Sequence, residues 1–288
     1  MPRRCAVLGR PIAHSLSPVL HRAAYDALGL DWTYEALEVD SDSLASFLDG
    51  LATPWRGLSL TMPLKRAVLP LLDDASALVD QTGAANTVLL DDRGRRSGHN
   101  TDVAGIVDSL AGHGVTRLDS ALVLGAGATA AAALAALRQL GLRAADVGAR
   151  DPARAGLLLE AAERLGVSVV LHSLDASGLP ARDLMISTLP TAAAAPYTSI
   201  AERFRVVFDV SYDPWPTPLT SRAAALGKVT VTGLDLLVAQ AAAQVELMTG
   251  RPAPRAAMRA AARAARPPPA GAYPPETREV HRGEDRAH

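Results

Sequence analysis

Cysteine is almost missing from this sequence: Cys5 is the one example in 288 residues. A lone cysteine forms no intramolecular disulfide, so the fold must be held by burial, and a reducing compartment is the natural setting. An excess of charge is also missing. The 29 Lys and Arg residues meet 30 Asp and Glu, for a formal net charge of -1. Nothing in that balance points to a surface tuned to nucleic acid or to an anionic membrane. It does not exclude a small anionic substrate, because a few local donors suffice for one carboxylate. Long apolar runs are absent near the start. Met1-Pro2-Arg3-Arg4 leads into the apolar stretch Cys5 to Leu8, too short for a secretory signal or a membrane span. No internal repeat is found. The expectation is a cytoplasmic protein with a small-molecule substrate and neither nucleic acid nor membrane as partner.

What is present is apolar material for real cores, 49% of the residues, on a chain long enough for about two domains. The first hundred residues alternate. Residues 5–9 read as a strand, 18–29 as a helix with Ser17 as N-cap and Pro18 in its first turn. Strands follow at 33–39 and about 57–61, with helical spacing at 42–51 between them and a helix opened by Pro63 after them. A short strand at 86–90, the turn Asp91-Asp92-Arg93-Gly94 and a hairpin return close this part. Strands separated by helices predict an α/β sheet.

A second unit starts near residue 119. Ala121-Leu122-Val123-Leu124 is the continuous apolar run of a strand buried on both faces, and more such runs lie near 145–149, 167–171, 184–187, 206–210 and 229–232. This pattern predicts a doubly wound sheet. The apolar helix from Leu234 to about Thr249 is expected to cross back to the first unit. The division read is therefore 1–103 with 236–265 as one domain, 104–235 as the second, and a proline-rich, polar tail at 266–288 that is expected to be disordered.

Gly125-Ala126-Gly127-Ala128-Thr129 sits between a buried strand and an alanine-rich helix. The first glycine permits the tight turn, the second lets the backbone approach a pyrophosphate, and the helix start offers free N–H groups. At the end of the next strand, an acid would mark NAD and a cation NADP. Here stand Arg150 and Arg154, while Asp151, followed by Pro152, is explained as a helix N-cap. NADP is favoured over NAD.

Four polar stretches in the first domain are unusual for packing: Ser15-Leu16-Ser17-Pro18, Ser59 to Lys65, Ala85-Asn86-Thr87 and Asn100-Thr101-Asp102. The run Gly9 to Pro18, Thr61-Met62-Pro63 with Lys65, Gly83 to Thr87, Asn100-Thr101-Asp102, Gly125 to Ala128, Tyr212-Asp213-Pro214-Trp215-Pro216-Thr217-Pro218-Leu219, Gly233-Leu234 and Gln240-Ala241 make the sequence resemble the shikimate dehydrogenase family, to about residue 265. The wording of 212–219 is similar to actinobacterial members. Many members carry asparagine where Ser59 stands, and Asn-Arg-Thr where Ala149-Arg150-Asp151 stands.

The resemblance implies an N-terminal α/β substrate domain, a C-terminal Rossmann NADP-binding domain and an interdomain cleft. It implies reduction of 3-dehydroshikimate to shikimate, reversibly, on the route to chorismate and the aromatic amino acids. Lys65 and Asp102 would be the catalytic pair. Ser15 and Ser17, with Tyr212, would hold the substrate carboxylate; Thr61, Asn86 and Gln240 would meet the ring oxygens. Gly125, Ala126, Gly127, Ala128 and Thr129 would hold the pyrophosphate, Arg150 and Arg154 the 2′-phosphate, and Gly233 would lie by the nicotinamide. No metal is implied. The chemistry agrees: hydride transfer at an alcohol carbon requires a group that moves the hydroxyl proton. Three readings stay open beside this one, namely a quinate dehydrogenase, an amino-shikimate dehydrogenase, and a non-catalytic NADP-sensing protein on the same fold. The assembly is read as monomer or homodimer.

Overall fold

The computed structural model describes residues 2–52, 54–174 and 178–265. Its apolar runs become strands of two six-stranded sheets. The first contains β1 (Arg3–Gly9), β2 (Trp32–Glu38), β3 (Trp55–Leu60), β4 (Asp74–Ala75), β5 (Thr87–Leu90) and β6 (Arg96–His99), in the order β2-β1-β3-β5-β6-β4. β1 runs parallel to both β2 and β3, whereas β5 is antiparallel to β3 and to β6. The β5–β6 hairpin is the one read from the Asp91 to Gly94 turn. The helices of this half are α1 (Ser17–Ala27), α2 (Leu44–Asp49), α3 (Leu64–Ala67) and α4 (Ala77–Thr82), followed by α5 (Asp102–Gly112), which leads into the second sheet.

The second sheet is parallel throughout. It holds β7 (Ala121–Leu124), β8 (Ala144–Ala149), β9 (Ser168–Ser173), β10 (Leu184–Ser187), β11 (Val206–Asp209) and β12 (Val229–Thr232), ordered β12-β11-β10-β7-β8-β9. The chain moves outward from β7 in one direction, then returns beside β7 and moves outward in the other. The crevice between β7 and β10 is thus the topological switch point, where open α/β sheets place ligands. β7, β10 and β11 are buried at every residue, as their unbroken apolar runs require. Helices α6 (Ala128–Gln139), α7 (Gly156–Leu165), α8 (Thr191–Ala194) and α9 (Pro218–Ala225) accompany this sheet. Seven consecutive residues of α6, Ala130 to Ala136, are fully or almost fully buried; small side chains let neighbouring elements approach it closely.

Two last helices, α10 (Gly233–Thr249) and α11 (Arg255–Ala264), return the chain to the first half. α10 touches α1, α5, β3 and β5 as well as β12. Its crossing with α5 is tight at Gly105, where a Cβ would lie 2.9 Å from Gln240 Cβ and 3.0 Å from Gln240 N. This close crossing fixes Gln240 relative to Asp102, which starts α5.

The structure corrects one local expectation. Leu16, not Ser17, is the N-cap of α1, and Ser17 is already helical. Its backbone N–H donates to Ser15 Oγ at 3.3 Å. Pro18 is tolerated anywhere in the first turn, so it did not fix the cap to one residue. Asp151 does cap through its side chain, accepting from Ala153 N at 3.1 Å, but what it caps is a 3-10 turn, Pro152–Arg154. The short elements β4, α4 and α11 are additions to the sequence reading. The tail at 266–288 lies outside the described residues. Among the described residues no helix is long and apolar enough to cross a membrane.

Candidate active site

β3 delivers Ser59 and Leu60, and the chain then turns. Thr61 N–H reaches back to Leu8 O at 2.9 Å, and Thr61 O accepts from Leu64 N at 2.8 Å, which starts α3. Lys65 therefore sits at the very start of a helix, held above the end of the sheet. Ala85 N donates to Lys65 O at 2.8 Å and pins the backbone there. Lys65 and Lys228 are the only lysines in a chain with 29 Lys and Arg residues. A guanidinium does not release its proton in a protein, whereas an ammonium can both give and take one. The cation type at position 65 is thus the one that proton transfer needs.

Lys65 Nζ lies 2.5 Å from Asp102 Oδ2, with side chains 17% and 8% exposed. Asp102 is the first residue of α5, where a carboxylate meets the positive end of the helix dipole. Its other oxygen accepts from Asn86 Nδ2 at 2.8 Å. Asn86 is buried, and its Oδ1 accepts from Thr101 N at 2.8 Å. The pair is oriented from three separate elements.

Around it opens a cavity of about 290 Å³ between the two sheets. All eight residues singled out for catalysis or substrate contact line it: Ser15, Ser17, Thr61, Lys65, Asn86, Asp102, Tyr212 and Gln240. Because Leu16 is the cap, the Ser17 hydroxyl makes no capping hydrogen bond and is left to the cavity wall. Burial, followed by the neighbouring Asp213 carboxylate, pushes the Tyr212 phenol up, so Tyr212 is a neutral hydroxyl donor. Gln240 Nε2 donates to Leu237 O at 2.9 Å. Ser59 and Gln244 also line the cavity, and Gln244 had not been singled out. It stands one helical turn after Gln240 on the same apolar helix, which is the signal that could have found it. Val210, Leu236 and Leu237 supply apolar wall.

Thr129 and Gly233 line the same cavity from the side of the second sheet. Gly233 opens α10 behind a Thr232–Asp235 capping box, and a Cβ there would fall 2.3 Å from Val210 O and 2.4 Å from Ser211 O. Only glycine lets the backbone pass so closely. Gly125, Ala126 and Gly127, in the turn between β7 and α6, and Ala128, which starts α6, lie beyond the cavity lining. Gly125 has φ +109, and a Cβ would strike Thr188 Oγ1. A Cβ on Gly127 would meet nothing within 4 Å, and Gly127 caps α6 with no side-chain hydrogen bond. Arg150 is exposed directly after β8, while Asp151 is occupied by its own cap. A turn with space over its second glycine, an open helix start at the switch point and a cation at the end of the second strand of this sheet fit a dinucleotide carrying a 2′-phosphate. The Arg154 side chain lies outside the described residues.

Known proteins resemble this chain in sequence and in fold. A family model described as the shikimate dehydrogenase substrate binding domain matches residues 7–88, and one described as the shikimate 5'-dehydrogenase C-terminal domain matches 233–263. A curated shikimate dehydrogenase (NADP(+)) from Oleidesulfovibrio alaskensis is 37% identical over 275 residues, covering 90% of this chain and 95% of the relative. The crystal structure of Mycobacterium tuberculosis shikimate dehydrogenase matches with TM-score 0.84 and 40% identity, over 91% of this chain and 100% of that one. This agrees with the actinobacterial wording of residues 212–219. A Thermus thermophilus shikimate 5-dehydrogenase, solved in complex with NADP(H) and shikimate, matches with TM-score 0.77 and 34% identity, over 91% and 99%. On sequence, coverage and fold, the chain belongs to the shikimate dehydrogenase family.

Proposed function

We propose that this chain reduces 3-dehydroshikimate to shikimate with NADPH, reversibly, as the step its family performs on the way to aromatic amino acids. The observation that carries this reading is the Lys65–Asp102 pair, 2.5 Å apart in a cleft that also receives Thr129 and Gly233 from the nucleotide side. NADP, when bound, supplies or accepts the hydride. Lys65 gives a proton to the substrate oxygen during reduction and takes it back during oxidation. Asp102 holds the ammonium toward the cleft and, with Asn86, Thr61 and Gln240, meets the ring oxygens. Ser15, Ser17 and Tyr212 are hydroxyl donors for the carboxylate. Gly125 to Thr129 take the pyrophosphate, Arg150 with Arg154 the 2′-phosphate, and Gly233 lies by the nicotinamide. The working division is a substrate domain of 1–103 with 236–265 and an NADP domain of 104–235. The setting is cytoplasmic, and the assembly a monomer or homodimer.

Initial rates of shikimate oxidation with NADP+, followed by nicotinamide absorbance, test the reading. Lys65→Ala is expected to lose turnover by about 10²–10⁴-fold with little change in shikimate KM. A variant with wild-type turnover would remove Lys65 from the chemistry.

A further inference from the structure

A chain of buried hydrogen bonds leads from the catalytic pair into the first domain and ends on an aromatic stack. Its members are Asp102, Asn86, Thr87, Gln244, Ser59 and Tyr34, all under 9% exposed. Two backbone groups fix the direction of every link. Thr101 N–H is a donor, so the atom of Asn86 that faces it at 2.8 Å must be Oδ1. Asn86 Nδ2 then faces Asp102 Oδ1 at 2.8 Å. Asn86 O is an acceptor, so the Gln244 atom 3.3 Å from it must be Nε2. Gln244 Nε2 also donates to Thr87 Oγ1 at 3.0 Å, and Thr87 passes its own proton to Asn86 Oδ1 at 2.9 Å.

On its other side, Gln244 Oε1 accepts from Ser59 Oγ at 2.8 Å. The one serine proton is thereby used, and Ser59 must accept from Tyr34 Oη at 2.6 Å. Tyr34 is fully buried and stacked on His21, with ring centroids 3.9 Å apart at 15°. Each hydroxyl and amide thus donates in one direction, from Tyr34 toward Asp102. Both polar atoms of Gln244 are occupied within the protein, so although it lines the cavity it acts through Asn86.

We infer that Gln244, with Ser59 and Tyr34 behind it, is a positioning residue: the relay locks the Asn86 amide with its N–H toward Asp102, and so holds the carboxylate that aims Lys65. A flipped Asn86 would set its carbonyl oxygen against the Asp102 carboxylate. Thr87 and Thr101 oppose that flip, and Gln244 holds Thr87 in its acceptor-to-donor role. Partners in one directional chain reinforce one another, so cutting it at the middle does more than trimming its end.

This inference rests on the function proposed above. Its test is kcat/KM for shikimate in Gln244→Met, Tyr34→Phe and the double variant, with circular dichroism and thermal midpoints recorded for each. Methionine keeps the volume of Gln244 and removes its amide. Gln244→Met is expected to lose about tenfold, and Tyr34→Phe about threefold, with KM for NADP+ unchanged. The double variant is expected to be no worse than Gln244→Met, because Tyr34 is already disconnected. Full activity in folded Gln244→Met, or losses that multiply in the double variant, would overturn the relay. Should Gln244→Met not fold, Tyr34→Phe decides: reduced kcat/KM supports the relay and wild-type kcat/KM overturns it. Wild-type protein inactive on shikimate defeats the functional reading instead, while an active wild type with unchanged variants defeats the relay alone.

Discussion

At and behind the substrate wall of the cleft, Lys65, Asp102, Asn86, Thr87, Gln244 and Ser59 are joined by a continuous run of side-chain hydrogen bonds. On the nucleotide wall, α6 starts without a side-chain cap, Gly127 has open space over it, and Arg150 is exposed. The difference follows from what each wall meets. A small polyhydroxylated acid offers only hydroxyls, a carbonyl and one carboxylate, so the donors and acceptors that face it must point in fixed directions before it arrives. A dinucleotide offers a pyrophosphate, which main-chain N–H groups at a helix start can take without side-chain chemistry. One wall is therefore built from side chains that support each other, and the other from backbone shape and exposed charge such as Arg150.

Asp102→Asn keeps the shape of the substrate wall but removes the charge that holds Lys65, and turnover is expected to fall about 10²-fold in initial-rate assays while KM for NADP+ stays unchanged. A matching loss of NADP+ affinity would mean the walls are not separate.

Acid strikes the substrate wall from behind. His21 is fully buried against Tyr34, with Nδ1–H donating to Ser17 O at 2.9 Å, and burial pulls its pKa from 6.5 to about 4. The folded form resists protonation more than the unfolded form, so the unfolded chain binds the extra proton between these values. This proton linkage therefore takes nothing from stability above pH 6.5, and stability falls as the pH drops from 6.5 toward 4, by on the order of 3 kcal/mol. Denaturant midpoints across that range should show the fall, and His21→Phe should flatten part of it; an identical slope in the variant would rule out His21 as a source.

The nucleotide wall is the more forgiving one. Arg150→Ala is expected to raise KM for NADP+ about tenfold, as loss of one charge-assisted contact does, and to leave KM for shikimate and the rate with NAD+ unchanged. Equal losses with both cofactors would take Arg150 away from the 2′-phosphate.

The two walls also differed in how readable they were. Gly125 to Thr129 are consecutive, and the turn, the helix start and the buried strand before them are local properties, so that wall was legible in sequence. The strands of the second sheet were legible for the same reason, since burial on both faces leaves unbroken apolar runs. Lys65, Asp102, Ser15 and Ser17, which line one cavity, stand in short polar stretches, and their proposed roles came from the family resemblance that those stretches carry. The relay was not legible, because Ser59 and Gln244 are 185 residues apart and only the fold brings them to 2.8 Å. Ser17 was read both as a cap and as a substrate hydroxyl, because a serine before a proline is a common helix start; the actual cap is Leu16, which leaves the serine hydroxyl to the cleft. Short elements such as β4 carry too few residues for a periodic signal.

The most direct test of this account is the initial rate of nicotinamide reduction with shikimate and quinate, each paired with NADP+ and with NAD+. Turnover concentrated in the shikimate and NADP+ pair is the predicted result, because it requires both walls to recognise what their residues imply. Preference for quinate with NAD+, or no turnover with any pair, would contradict it.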